Sequence, residues 1–215
     1  MRFEAVVFDN DGLLLDTEGA WTRAEQALFA HHGLQFTAEH KRELLGSSPQ
    51  AAAAKLEVIL GQPGRGFELT RELGDLAHEE MGTAVEPRPG ALALIAALRA
   101  AAVPMAVASN TTRRLIERCF ETAGVEMEAF ETVLTADAVT DPKPAPEIYL
   151  TACAALGSAP ERTVVLEDSP TGVAAGVAAG CYTVAVPSLE GVDLSAAAMV
   201  VPSLEAPELR RLLGL

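Results

Sequence analysis

Two aspartates flanking a single residue, Asp9 and Asp11, close an apolar run in the stretch VVFDNDGLLLDTE at positions 6 to 18. The run from Ala5 to Phe8 has strand length and β-branched content, and it breaks into Asp9, Asn10, Asp11 and Gly12. This predicts a buried strand opening into a polar turn. Carboxylates so placed at a strand's C-terminal end can converge on one cation, and Gly12 frees the backbone for conformations a side chain would forbid. In that setting Asp9 can serve as a nucleophile and Asp11 as an acid and base. An acidic turn without chemistry is the other reading of this stretch alone.

Three later segments put polar groups just past apolar runs. Ser109, Asn110 and Thr111 follow the run Pro104 to Ala108, so a hydroxyl, an amide and the next helix's N-terminus can meet an anion there; a plain helix cap is the alternative. Lys143 stands between Pro142 and Pro144 in TDPKPAPEIY, its backbone stiffened on both sides. Three of the 16 basic residues are lysines, so a lysine in a rigid turn is informative, although a solvated surface lysine is the ordinary case. Glu167 and Asp168 close the run Thr163 to Leu166. Successive strand residues point to opposite sides, so Asp168 is aimed at a metal and Glu167 is left to support it.

The elements needed to position these groups follow from the periodicity of the chain. Helices are predicted at Glu18 to His32, Ala38 to Leu45, Pro49 to Leu60 and Phe67 to Met81, with no strand pattern before Pro87. Asp16 or Thr17 can cap the first of them. Beyond Pro89, helices at Gly90 to Ala101, Thr111 to Ala123, Ala145 to Leu156 and Thr171 to Ala179 alternate with apolar strands. The strands are Pro104 to Ala108, Thr132 to Thr135, Thr163 to Leu166, Thr183 to Val186 and, more weakly, Met199 to Val201. Such alternation argues for an α/β fold, a doubly wound parallel sheet with a Rossmann-like core. Residues 1–15 and 88–215 would form the core and residues 16–87 an inserted helical cap. Functional residues of such a sheet lie past the C-terminal ends of its strands, which is where the polar segments fall.

Composition narrows the partners. At 215 residues, with 49% hydrophobic and 21% charged residues, the chain can bury a full core. A net charge of -14 argues against nucleic acids and anionic membranes, which need basic patches. Cys119, Cys153 and Cys181 form no CxxC pair and lie in apolar contexts, as buried thiols in a reducing cytoplasm would. No basic leader and apolar segment precedes the first strand, and Arg99 interrupts the longest apolar stretch, so a soluble, unprocessed cytoplasmic chain is expected.

Taken in order, DxDG after strand one, Ser after strand two, KP before a helix and EDS after strand four resemble the haloacid dehalogenase-like hydrolase superfamily, over nearly the whole chain. The likeness is to the subgroup with a helical cap, which includes sugar-phosphate phosphatases and β-phosphoglucomutase. It implies that Asp9 attacks phosphorus to form a phosphoaspartate, that Asp11 protonates the leaving oxygen and then activates water, and that Ser109, Asn110 and Lys143 hold the phosphoryl group. It also implies Mg²⁺ on Asp9, Asp168 and the Asp11 backbone carbonyl. Cations beside Asp9 suit that chemistry physically, because a carboxylate and a phosphate ester repel each other.

Other readings fit less well. An EF-hand loop needs an oxygen ligand where Leu13 stands, and a phosphoacceptor signalling domain has neither this length nor a cap. In β-phosphoglucomutase a His opens the cap and an Arg grips the distal phosphate; the matching positions are Trp21 and Pro49, which favours a phosphatase acting on a small phosphate monoester, and the resemblance implies a monomer because capped members carry the cap on the same chain. Ser47, Ser48 and Arg65 are the cap's loop candidates for substrate contact, each read first as loop chemistry. His31, His32, His40 and His78 show no ligand spacing and are read as surface or packing residues.

Overall fold

The computed structural model describes residues 3–189 and 191–215; Met1, Arg2 and Glu190, which the predicted core segments include, lie outside the described residues. Strand β1 (Ala5–Phe8) is buried along its whole length at the centre of a six-stranded parallel sheet. The others are β4 (Met105–Ala108), β5 (Thr132–Leu134), β6 (Thr163–Glu167), β7 (Tyr182–Ala185) and β8 (Met199–Val200), after the short β2 (Leu15–Asp16) and β3 (Glu86–Pro87). The order across the sheet is β5-β4-β1-β6-β7-β8. Val7 of β1 pairs with Ala106 of β4 on one side and Val165 of β6 on the other. The chain leaves β1 toward one edge and returns to build the other, so the ends of β1, β4 and β6 flank the switch point where α/β sheets bind ligands.

Side-chain alternation divides the core. Val7, Ala106 and Val165 meet Ile148, Tyr149 and Ala152 of α7 (Glu147–Leu156) and Ala175 of α8 (Pro170–Ala178). Val6, Phe8, Val107, Val164 and Leu166 face the larger apolar cluster with α5 (Ala91–Ala100), α6 (Arg113–Ala123) and α9 (Pro207–Leu213). Between β2 and β3 the chain forms α1 (Glu18–His31), α2 (Ala38–Leu44), α3 (Pro49–Ile59) and α4 (Gly66–Met81). Leu28, Leu56, Leu69 and Leu73 of these helices belong to the same continuous apolar cluster. No helix among the described residues is long and apolar enough to cross a membrane.

The predicted α/β class and its helices and strands are present, with ends shifted by at most two residues. Two elements depart from expectation. A strand pair does occur before Pro89: Leu15 and Asp16 pair antiparallel with Pro87 and Glu86, where the two crossings to the helical insert lie side by side. Two-residue strands leave no periodicity to read, and tertiary pairing alone fixes them. Helix α9 was not anticipated, although Pro207 at its first turn and the buried Leu209 and Leu213 are a start signal and an apolar face.

Candidate active site

Asp9 leaves the end of β1 beside Lys143, whose Nζ donates to Asp9 Oδ1 at 2.7 Å, Glu167 Oε1 at 2.6 Å and the Ala108 carbonyl at 2.8 Å. All three ammonium protons are therefore used, and the lysine is buried. The Pro-flanked turn is held by Asn110, whose Oδ1 accepts from Lys143 N at 2.9 Å while its Nδ2 donates to Lys143 O at 3.1 Å. Burial alone would lower the lysine's pKa, but the Asp9 and Glu167 carboxylates outweigh it and hold the ammonium above its ordinary value.

Glu167, the last residue of β6, is fully buried and committed on both oxygens. Oε1 accepts from Lys143 and from Tyr149 OH at 2.6 Å; Oε2 accepts from Asp168 N, Ser169 N and Ser169 Oγ at 3.1 to 3.2 Å. A Cβ at Gly172 would lie 1.7 Å from Glu167 Oε1, so only glycine fits that turn of α8. Asp168 turns toward Asp9, and Ser188 donates to its Oδ2. Gly12, at φ +78°, would carry a Cβ 2.1 Å from that same oxygen. The chain thus passes over Asp168 with no room for a side chain.

Oxygens of Asp9, Glu167 and Asp168 lie within 4.8 Å of one another. Burial pushes Asp9 well above the usual carboxylate range against the pull of Lys143, while Glu167, Asp168 and Asp11 push the same way as burial. Burial, then Glu167, raises Asp168 to about 8. Lys143 is a single cation among these buried acids, and hard carboxylate oxygens with excess negative charge suit Mg²⁺. Distance alone makes Glu167 a third ligand candidate, but its donors already occupy it. Asp9 and Asp168 are the pair with oxygens to spare.

Asp11 has a different environment. Its Oδ1 accepts from Thr17 Oγ1 at 2.8 Å and Trp21 Nε1 at 3.1 Å, and its Oδ2 from Ser109 Oγ at 3.2 Å and Thr111 Oγ1 at 2.8 Å. Thr17 stands at the N-cap of α1 yet gives its hydroxyl to Asp11 instead of capping the helix. Sequence reasoning missed Trp21 as a partner of Asp11, and Thr111, Tyr149 and Ser188 as donors to the acidic groups. A lone tryptophan near a DxD turn was a usable signal, since a buried indole N–H seeks an acceptor.

Above these residues a cavity of about 170 Å³ lies between the strand ends and the helices α1, α2 and α4, lined in part by Glu18, Trp21, Glu25, Lys41 and Leu73. Asn110 Nδ2 also reaches the Gly46 carbonyl at 3.2 Å, and Arg114 of α6 pairs with Asp75 of α4 at 2.6 Å, so the helices are closed over the site. Of the loop candidates, Ser47 lines the cavity, Ser48 caps α3 by accepting from Ala51 N, and Arg65 lies outside the lining, paired with Glu68. His31 and His32 both contact Glu72, and His40 closes a capping box with Thr37.

The profile of the haloacid dehalogenase-like hydrolases matches residues 6–186. Hexitol phosphatase A of Escherichia coli (strain K12) is 34% identical over 204 residues, 90% of each chain. The bifunctional riboflavin kinase/FMN phosphatase of Arabidopsis thaliana is 33% identical over 86% of this chain, which spans only 48% of that longer protein. Among solved structures, CbbY from Rhodobacter sphaeroides in complex with phosphate superposes with a TM-score of 0.87 at 28% identity, covering 99% of this chain and 100% of that one. The chain belongs to the haloacid dehalogenase-like hydrolase family, within its phosphatase subgroup.

Proposed function

We propose that this chain hydrolyses a small phosphate monoester, a sugar phosphate or a similar metabolite, through a phosphoaspartate on Asp9. The observation that carries the reading is the contrast between two aspartates two positions apart. Asp9 lies against a buried lysine and a second buried acid, whereas Asp11 is held by four neutral donors. CbbY from Rhodobacter sphaeroides, whose structure is in complex with phosphate and superposes on nearly the whole chain, supports a phosphate-bearing substrate.

In this reading an Asp9 oxygen attacks phosphorus in line, the bond to the leaving oxygen breaks, and Asp11 delivers its proton to that oxygen. Water then loses a proton to Asp11 and attacks phosphorus, breaking the Asp9–phosphorus bond and releasing inorganic phosphate. Lys143 neutralises charge on the attacked group and keeps Asp9 in place, Ser109 contributes its hydroxyl to the phosphoryl site, and Asn110, whose side chain is engaged with the Lys143 turn and Gly46, holds that turn in position. Bound to Asp9, Asp168 and the Asp11 carbonyl, Mg²⁺ would neutralise phosphoryl charge. Residues 16–87 act as the lid that excludes water. The buried thiols fit a cytoplasmic protein, and with lid and core on one chain a monomer suffices.

A panel of phosphate monoesters assayed for phosphate release with Mg²⁺ tests the reaction class. Asp9→Asn should abolish release while leaving thermal stability near that of the parent, and excess chelator should stop turnover reversibly. Comparable activity in Asp9→Asn, or full activity in chelator, would overturn the scheme. The mutase alternative predicts glucose 6-phosphate from β-glucose 1-phosphate without phosphate release; Trp21 on Asp11 and Pro49 in the first turn of α3 weigh against it.

A further inference from the structure

The roof of the cavity holds a charged cluster for which the chemistry at Asp9 has no use. Lys41 of α2 reaches two carboxylates of α1, Glu25 Oε2 at 3.1 Å and Glu18 Oε2 at 3.0 Å, and all three residues line the cavity. The two contacts are unequal. The Glu25 contact is a hydrogen bond, whereas Glu18 Oε2 is buried and accepts none, because the lysine's approach has the distance but not the direction. A buried carboxylate oxygen without a donor is costly, and a ligand that supplies one removes the cost. Around the triad the wall is largely apolar, with Trp21, Leu44, Leu45 and Leu73.

We propose that Glu18 and Lys41, with Glu25 fixing the lysine, bind hydroxyl groups of a neutral, polyhydroxylated leaving group and exclude one that carries a second phosphate or a carboxylate. This rests on the phosphatase reading above and names its substrate class. A hydroxyl can donate to Glu18 and accept from Lys41 at once, so one or two hydroxyls satisfy both groups. An anion can use only the lysine, which two carboxylates already share, and it would stand in contact with Glu18. With Glu25 ionised the triad carries one net negative charge; burial pushes that carboxyl up to about 7, and with Glu25 neutral the triad carries none. In neither state is the roof positive. Lys41 and Lys143 are the basic side chains in the lining, and Lys143 is fully engaged below.

The test compares three substrates on the intact chain with Mg²⁺: acetyl phosphate, fructose 1-phosphate and fructose 1,6-bisphosphate. The parent should prefer fructose 1-phosphate to the bisphosphate by about tenfold or more in kcat/KM, the scale of one charged hydrogen bond gained or lost. Lys41→Met and Glu18→Gln should each lower the ratio of kcat/KM for fructose 1-phosphate to that for acetyl phosphate by about tenfold, mainly through KM. Glu18→Gln should also narrow the discrimination against the bisphosphate. Being isosteric, it keeps the test decisive if Lys41→Met does not fold. Equal or better turnover of the bisphosphate by the parent, or an unchanged ratio in a folded variant, overturns the inference and leaves the phosphatase reading standing. Absence of phosphate release from all three overturns both.

Discussion

At the scale of single residues, the site sets carboxylates that repel one another side by side among buried groups. Burial and Glu167 push Asp168 up to about 8 and Asp9 is raised as well, so the folded chain without a divalent cation holds protons that the unfolded chain, with carboxyls near 4, has released. Where the native state binds more protons, stability falls as pH rises. In chelator, the melting temperature should therefore fall between about pH 4 and pH 8, and Mg²⁺ should raise it most at the alkaline end, where both carboxylates must be charged. Thermal melts at pH 5.5 and 8, with chelator and with Mg²⁺, check this; a Mg²⁺ effect larger at pH 5.5 would contradict it. Asp9, Asp11, Ser109 and Asp168 were legible in the sequence because each lies just beyond an apolar run, where an α/β sheet places its ligands, and Lys143 because it is a lysine fixed between two prolines. The pairing of Thr111 with Asp11, 100 positions away, and the parts played by Tyr149 and Ser188 were not, because what defines them is a partner elsewhere in the chain.

At the scale of elements, two of the polar contacts between the helical insert and the core differ in worth. The Arg114–Asp75 pair links α6 to α4 with both side chains more than half exposed, and such pairs contribute about 0–1 kcal/mol. Asn110 is buried, and it ties the Lys143 turn to the Gly46 carbonyl of the insert. Arg114→Ala should thus change kcat/KM by about threefold at most, and Asn110→Ala should lower it by about tenfold or more, since it leaves buried groups of the Lys143 turn unpaired. Steady-state kinetics of the two variants decides; a larger loss in Arg114→Ala would reverse this ranking. The long helices and buried strands were legible because a continuous apolar run or stripe identifies each. The ribbon of Leu15–Asp16 with Glu86–Pro87 was not, since its partners are about 70 residues apart and each is two residues long.

At the scale of the whole molecule, a chain of net charge -14 has to attract an anion. The field of the surface repels a phosphate dianion on approach, and salt shortens its reach from about 30 Å at 0.01 M to about 8 Å at 0.15 M. Raising NaCl across that range at fixed Mg²⁺ should lower KM a few-fold and leave kcat nearly unmoved, because the buried contacts of Lys143 are screened far less. A KM that climbs with salt would mean that the mouth of the cleft attracts anions despite the net charge.

The Asn110 amide carries one more consequence. A single side chain grips the lysine turn through its carbonyl oxygen and amide nitrogen, and the same nitrogen reaches the roof. Loss of the Gly46 contact would cost Asn110 one acceptor and leave both of its bonds to the lysine turn in place. Lys143 Nζ is held by core groups alone, so the Asn110 amide works as a rivet between the lysine turn and the roof, joining the two without the ammonium depending on it.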